Sequence, residues 1–118
     1  MMEELKVLKR LDHPNVIWLH EIIDDESKDF ICLVTTWHTR GNLEQMVKKK
    51  NEKCKGNFRI GLQQATVRLY FIDMLKALYY CHTVAKVIHR DIKPANIVIN
   101  HNNEAVLIDF GVSAIIEN

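Results

Sequence analysis

Leu5, Leu8 and Leu11 recur at every third position, with Lys6, Lys9 and Arg10 between them. That spacing predicts the end of an amphipathic helix. Pro14 stops it, because the residue before a proline is pushed out of the helical region. Residues 16–23 and 30–35 read as two strands joined by a charged turn, residues 24–29, and together predict a hairpin. A short polar connection with one glycine, residues 36–41, leads to a short helix over 43–50 that ends in lysines. Residues 51–61 are poor in apolar side chains and read as a loop.

The strongest helical pattern covers residues 65–82. Val67, Tyr70, Phe71, Met74, Leu75, Leu78 and Cys81 follow i, i+3, i+4 spacing and predict its core face. Leu69, Ile72, Ala77, Tyr79 and Tyr80 lie off that face. A helix apolar nearly all round belongs inside a larger core. Residues 97–99 and 105–108 predict two short strands around the turn 100–104, whose three asparagines tolerate turn geometry. No internal repeat is present.

Composition narrows the class. The 118 residues are 47% hydrophobic and 26% charged with net charge +1, the profile of a soluble globular domain. This balance gives no argument for a nucleic-acid or membrane partner, and no apolar run reaches the length of a membrane span. The acidic start, Met1-Met2-Glu3-Glu4, does not resemble a secretory signal. Cys32, Cys54 and Cys81 lack metal-type spacing, as do the six histidines. A reduced, intracellular chain is expected, cytoplasmic or nuclear, with two of the three cysteines in the core. The lysines of 48–55 read as a solvated helix end and loop.

One stretch breaks the apolar pattern. In "VIHRDIKPANIVIN", apolar runs flank His89, Arg90, Asp91, Lys93 and Asn96. A carboxylate such as Asp91 can accept a proton from a hydroxyl. Lys93 supplies a point charge suited to phosphate. Asn96 offers an amide oxygen of the kind magnesium takes. The predicted hairpin returns Asp109 toward Asn96, so the two can share a metal that bridges phosphate oxygens. The set fits phosphoryl transfer, where catalysis is mostly positioning and charge neutralisation.

These residues resemble a known family. "HRDIKPAN", residues 89–96, is similar to the protein-kinase catalytic loop H-R-D-x-K-x-x-N, and Asp109-Phe110-Gly111 to its D-F-G motif. The resemblance implies an α+β fold: part of the bilobal kinase domain, with the family's helix C, fourth and fifth strands, hinge, helices D and E, catalytic loop, hairpin and D-F-G. It divides 1–118 into a small-lobe remnant (1–35), a hinge (36–41) and the first part of the large lobe (42–118). It implies ATP and magnesium as cofactors and a protein Ser/Thr hydroxyl as substrate, since Lys93 in this place is the Ser/Thr form. Asp91 would be the catalytic base and Lys93 would steady the γ-phosphate. Asn96 and Asp109 would hold magnesium. Arg90 beside Asp91 resembles kinases switched on by an upstream activating kinase.

Farther upstream, "EELKVLKRLDHPNVIWL" and "ICLVTTWHTRGNL" resemble the run from helix C into the hinge. On that match Glu4 is the helix-C glutamate that pairs with a strand lysine, and Thr35 is the gatekeeper. Thr36 and His38 would meet the adenine edge through their backbones, and Asn42 would lie near the ribose. Val98 would lie under the adenine with Leu43 below it. Leu8, Leu19, His89 and Phe110 would form a hydrophobic column linking the lobes. "LDHPNV" and "DFGVS" together resemble the calmodulin-dependent kinase kinases.

Each assignment has a plainer alternative. Asp91 and Asp109 could be surface turn residues, Glu4 a helix-surface glutamate and Thr35 an ordinary strand residue. Trp18 and Trp37 read as packing residues. No G-x-G-x-x-G occurs in the 118 residues, and Lys6 and Lys9 ride on the helix that carries Glu4, so neither can be its partner. A truncated or fragmentary kinase, inactive by itself, is therefore expected. Two alternatives are a non-catalytic interaction module that uses its apolar helix and a small-molecule kinase of the same fold. Lys93-Pro94 suits the last less well.

Overall fold

The computed structural model describes residues 2–53 and 61–117. Cys54 and most of the predicted 51–61 loop lie outside them. Asn51 and Glu52 do not form a loop: they extend a helix.

In chain order the elements are α1 (Met2–Leu8), β1 (Leu19–Asp24), β2 (Ile31–Thr35), α2 (Leu43–Glu52) and α3 (Gln64–Tyr80). β3 (Val87–Ile88), β4 (Ile97–Ile99), β5 (Ala105–Leu107) and β6 (Ala114–Ile115) follow. The strands pair antiparallel in three small sheets: β1 with β2, β3 with β6, and β4 with β5. This is the expected α+β class. No helix among the described residues is long and apolar enough to cross a membrane.

The first strand begins later than its apolar pattern suggests. Val16 and Ile17 leave the hairpin and reach β5: Ile17 N donates to Leu107 O at 2.9 Å and Leu107 N to Asn15 O at 2.8 Å. β1 then starts at Leu19 with a register irregularity before Glu21. The segment thus ties the first hairpin to the second. Asn15 strengthens the tie, because its buried Nδ2 donates to Ala105 O at 2.9 Å, while Asp73 Oδ2 accepts from Ala105 N at 2.9 Å. Two side chains thereby satisfy both backbone groups of a fully buried residue, groups that would otherwise cost stability unpaired.

The core gathers Val7, Leu8 and Leu11 from the α1 region, Tyr70, Met74, Ala77 and Cys81 from α3 and its end, and all of β4 and β5. β4 and β5 are buried at every position, so they read as continuous apolar runs without alternation. α3 departs from its predicted face. Tyr70, Met74 and Cys81 are buried and Leu78 half-buried, but Val67, Phe71 and Leu75 are exposed, and Ala77 is buried in their stead. The α-helix ends at Tyr80 and passes into a π-helical turn, Cys81–Ala85, whose last N–H partner is Lys86 in the left-handed region. Cys81 is buried and its thiol is pushed up to about 11 by desolvation. Cys32 is exposed, and Cys54, the third cysteine of the expectation that two lie in the core, is outside the described residues. Cys32 falls on the open side of a two-stranded ribbon, a position its alternating pattern left undecided.

The Tyr80 ring joins the two ends of the core. It stacks on His13 with centroids 5.0 Å apart, and its hydroxyl accepts from Asp12 N at 2.8 Å and donates to Arg10 O at 3.0 Å. The chain that leaves α1 is thus fixed on the end of α3.

Candidate functional site

The polar run after β3 is held by its own side chains. Asp91 N donates to His89 Nδ1 at 3.1 Å, so Nδ1 is the acceptor and Nε2 carries the hydrogen. Nε2 donates to Ile108 O at 2.7 Å. His89 is 1% exposed, and the Phe110 ring meets it edge to face at 4.7 Å. One buried imidazole therefore joins the loop before Asp91 to the strand end before Asp109. Leu8 belongs to the core cluster that holds Phe110, and Leu19 packs against that cluster.

Asn96 is 5% exposed at the end of the short 3-10 turn Pro94–Asn96. Its Nδ2 donates to Asp91 O at 2.9 Å and to Asp91 Oδ2 at 3.0 Å. This fixes which way the amide faces and leaves Oδ1, the metal-type oxygen, uncommitted. Lys93 Nζ stands 3.7 Å from the same Asp91 Oδ2. Asp91, Lys93 and Asn96 thus form one cluster.

Asp109 is brought back by register. Ile97 pairs with Leu107, and Ile108 N donates to Asn96 O at 2.9 Å, so Asp109 is the next residue after a direct bond to Asn96. Asp109 is exposed with φ +57°, and Arg90 beside Asp91 has φ +70°. Non-glycine residues in this region cost of order 1–3 kcal/mol and gather at functional sites. Gly111 N donates to Asp109 Oδ1 at 3.2 Å, and Arg90 Nε donates to Val112 O at 2.6 Å. Among the described residues no group of three or more His, Cys, Asp or Glu side chains could hold a metal. One amide oxygen and one carboxylate fit the other manner of holding magnesium, with phosphate and water supplying most ligands.

Beside this cluster opens a pocket of ≈ 360 Å³, lined by Ile17, Thr35, Thr36, His38, Asn42, Val98 and Ile108 among others. All the residues expected at the adenine edge line it, as does Trp37, which is 86% exposed. Burial first, and then the charge of His101, hold His38 below the ordinary imidazole range. Asn42 has a second duty. Its side chain accepts from Gln45 N at 2.9 Å and caps α2, while Gln45 Oε1 accepts from Asn42 N at 3.0 Å, a capping box. Only the Nδ2 of Asn42 remains for a ligand. Gly41 before it sits at φ +75°, where a Cβ would strike Gln45 Oε1.

Leu43 follows Asn42, which bridges to Val98, and it lines an apolar groove with Tyr70, Phe71, Met74 and Ile97. Glu4 is half-buried in the first turn of α1, with no basic partner among the described residues. Sequence reasoning missed Asn15, Asp73, Ile17 and Trp37. Asp73 carried a signal, being the one carboxylate in α3, between "FI" and "ML". Ile17, Trp37 and Asn15 carried none, since their places depend on contacts with distant strands.

Comparison with known proteins agrees with this geometry. The family described as protein kinase domain matches residues 1–118. A calcium/calmodulin-dependent protein kinase kinase of Caenorhabditis elegans is 33% identical over 113 residues, which is 96% of this chain and 19% of that protein. The chain therefore spans about a fifth of the length of this curated relative.

Proposed function

The chain belongs to the protein kinase family, and on that premise we propose that it carries the hinge, catalytic loop and metal-binding segment of a Ser/Thr kinase acting on proteins. The hairpin register that sets Asp109 next to Asn96, whose amide Asp91 orients, is the observation that carries this reading. Asp91 takes the proton of the substrate hydroxyl through the carboxylate oxygen that Asn96 and Lys93 leave open. Lys93 draws the γ-phosphate toward that hydroxyl. Asn96 Oδ1 and Asp109 would hold magnesium, which neutralises charge on the phosphates. Thr36 and His38 offer backbone groups to the adenine edge, with Val98 against its face. Glu4 is assigned to a lysine outside these residues.

The 118 residues hold neither a glycine-rich loop nor a lysine placed for Glu4, so by itself the chain binds nucleotide weakly and transfers phosphate poorly or not at all. Losing one charge-assisted bond of about 1.5–3 kcal/mol alone slows transfer roughly 10- to 150-fold. Residues 1–118 are assigned to the middle of an intracellular kinase domain, switched on by an upstream kinase. The six exposed apolar residues of α3 (Val67, Leu69, Phe71, Ile72, Leu75 and Tyr79) support that assignment, since such a face calls for a covering surface.

Titration with a nucleoside triphosphate, read by Trp37 fluorescence, tests the reading. A saturable change that needs magnesium and is lost in Asp109→Asn is expected. A response indifferent to magnesium overturns the assignment of Asn96 and Asp109. Translation of the adjoining genomic sequence should show a glycine-rich loop and V-A-I-K-like lysine upstream and A-P-E downstream.

The same exposed face of α3 favours a second reading, a non-catalytic module that docks a partner. A soluble, folded monomer with no nucleotide response is its signature in size-exclusion chromatography.

A further inference from the structure

A second concave surface, of ≈ 390 Å³, adjoins the nucleotide pocket and shares Gly41 and Gln45 with it. Its walls are residues 39–41 and one side of α2. It gathers Arg40, Lys48 and Lys49 against a single carboxylate, Glu52. Lys48 and Lys49 are exposed, and neither forms an ion pair among the described residues. Arg40 is anchored: its Nη1 donates to Asn103 Oδ1 at 3.2 Å, and the Tyr70 hydroxyl donates to the same oxygen at 2.6 Å.

Lysines in the last turn of a helix also complement the negative end of its dipole. That effect accounts for a lysine at this end of α2. It does not account for Arg40, which lies off the helix, or for a hollow that continues into the nucleotide pocket. α2 also packs on the Pro94–Asn96 turn that follows Lys93, so the wall of the hollow is braced on the catalytic loop. A cationic surface in that place complements negative charge on whatever lies across the loop.

We propose that the groove formed by Arg40, Lys48 and Lys49 receives an acidic stretch of the protein substrate, selecting a phosphoacceptor flanked by carboxylate side chains. This names the substrate class of the kinase reading and rests on it. The cations pair with Asp or Glu side chains of an extended peptide, while the hydroxyl is offered to Asp91. Exposed pairs of this kind are individually weak and screened by salt, so recognition depends on several acting together.

The test measures fluorescence anisotropy of a labelled serine peptide flanked by glutamates against its lysine counterpart, with the 118-residue chain at low salt. The acidic peptide should bind about tenfold tighter, with most of the difference lost at high salt. The double substitution Lys48→Glu with Lys49→Glu should abolish the preference, and Arg40→Gln should reduce it. Equal binding of the two peptides, or a preference that survives the double substitution, overturns the proposal. So does equally tight binding of a single-stranded oligonucleotide of matched charge, since the surface is then a general polyanion site. The Trp37 response to magnesium and nucleotide separates the two readings. If it persists without a peptide preference, only the groove assignment falls. If the wild-type chain lacks it, the kinase reading falls as well.

Discussion

Phe110 and Phe71 carry the same side chain and stand at opposite extremes: Phe110 is 1% exposed and Phe71 63%. The regions around them are inverted too. The catalytic loop and its hairpin hold polar side chains, His89 and Asn96, in the interior with their hydrogen bonds made. α3 presents apolar side chains to solvent. Burying polar groups is costly unless each is paired, so the first region is a built site. Exposing an apolar helix face forfeits about 1.5–3 kcal/mol per large side chain, so the second is a surface made to be covered. The widest separation between them is expected in Phe110→Ala against Phe71→Ala. The first should cost about 3–5 kcal/mol, a large share of the roughly 5–15 kcal/mol that holds a domain. The second should fall within about 0.5 kcal/mol. Urea unfolding followed by circular dichroism measures both, and equal losses would mean that α3 packs as tightly as the hairpin.

The two regions were also unequally legible. The site was readable because its chemistry is local: Asp91, Lys93 and Asn96 lie within six residues, and the asparagine-rich bend fixes where Asp109 returns. Asn100 Oδ1 accepts from Asn102 N and Glu104 N, and Asn103 takes φ +61°, as such a turn requires. α3 was readable as a helix, but its buried side was not. Its apolar residues run nearly all round, so periodicity leaves the face undecided, and only contact with β5 chooses Tyr70, Met74 and Ala77. β3 and β6 escaped notice because a two-residue ladder has no period to detect. The start of β1 was misread because Val16 and Ile17 pair with Leu107, about ninety residues away in sequence.

Within the site the comparison sharpens between two magnesium candidates. Asn96→Ala removes bonds to both Asp91 O and Asp91 Oδ2 in a buried place. It should cost about 1–3 kcal/mol and abolish the magnesium dependence of nucleotide binding. Asp109→Asn should leave stability within about 0.5 kcal/mol, because the residue is exposed and asparagine tolerates its left-handed backbone. It should still abolish the magnesium dependence. Thermal melts of the two variants, run beside nucleotide titrations, separate a residue that both folds and binds from one that only binds. If Asp109→Asn keeps a magnesium-dependent response, its carboxylate is no ligand.

The smallest effect lies where the two regions join. His13 stacks on Tyr80 at the end of α3, and His38 borders the pocket proposed for the nucleotide. Burial holds both imidazoles below the ordinary 6.5 of a free histidine, helped by the charge of Lys76 at His13 and of His101 at His38, while Asp12 opposes the shift at His13. A histidine that titrates lower when folded binds fewer protons than the unfolded chain, so its contribution is complete above 6.5 and is lost as pH falls through the folded value. The melting temperature should therefore decline modestly between about pH 7 and pH 5. Proton NMR of the two imidazoles should show midpoints under 6.5. Lys76→Gln should raise the His13 midpoint and leave that of His38 in place, since only the first feels that lysine. A common shift of both would mean that the histidines respond to the net charge of the chain and not to their separate neighbours in the loop-bearing and helical halves.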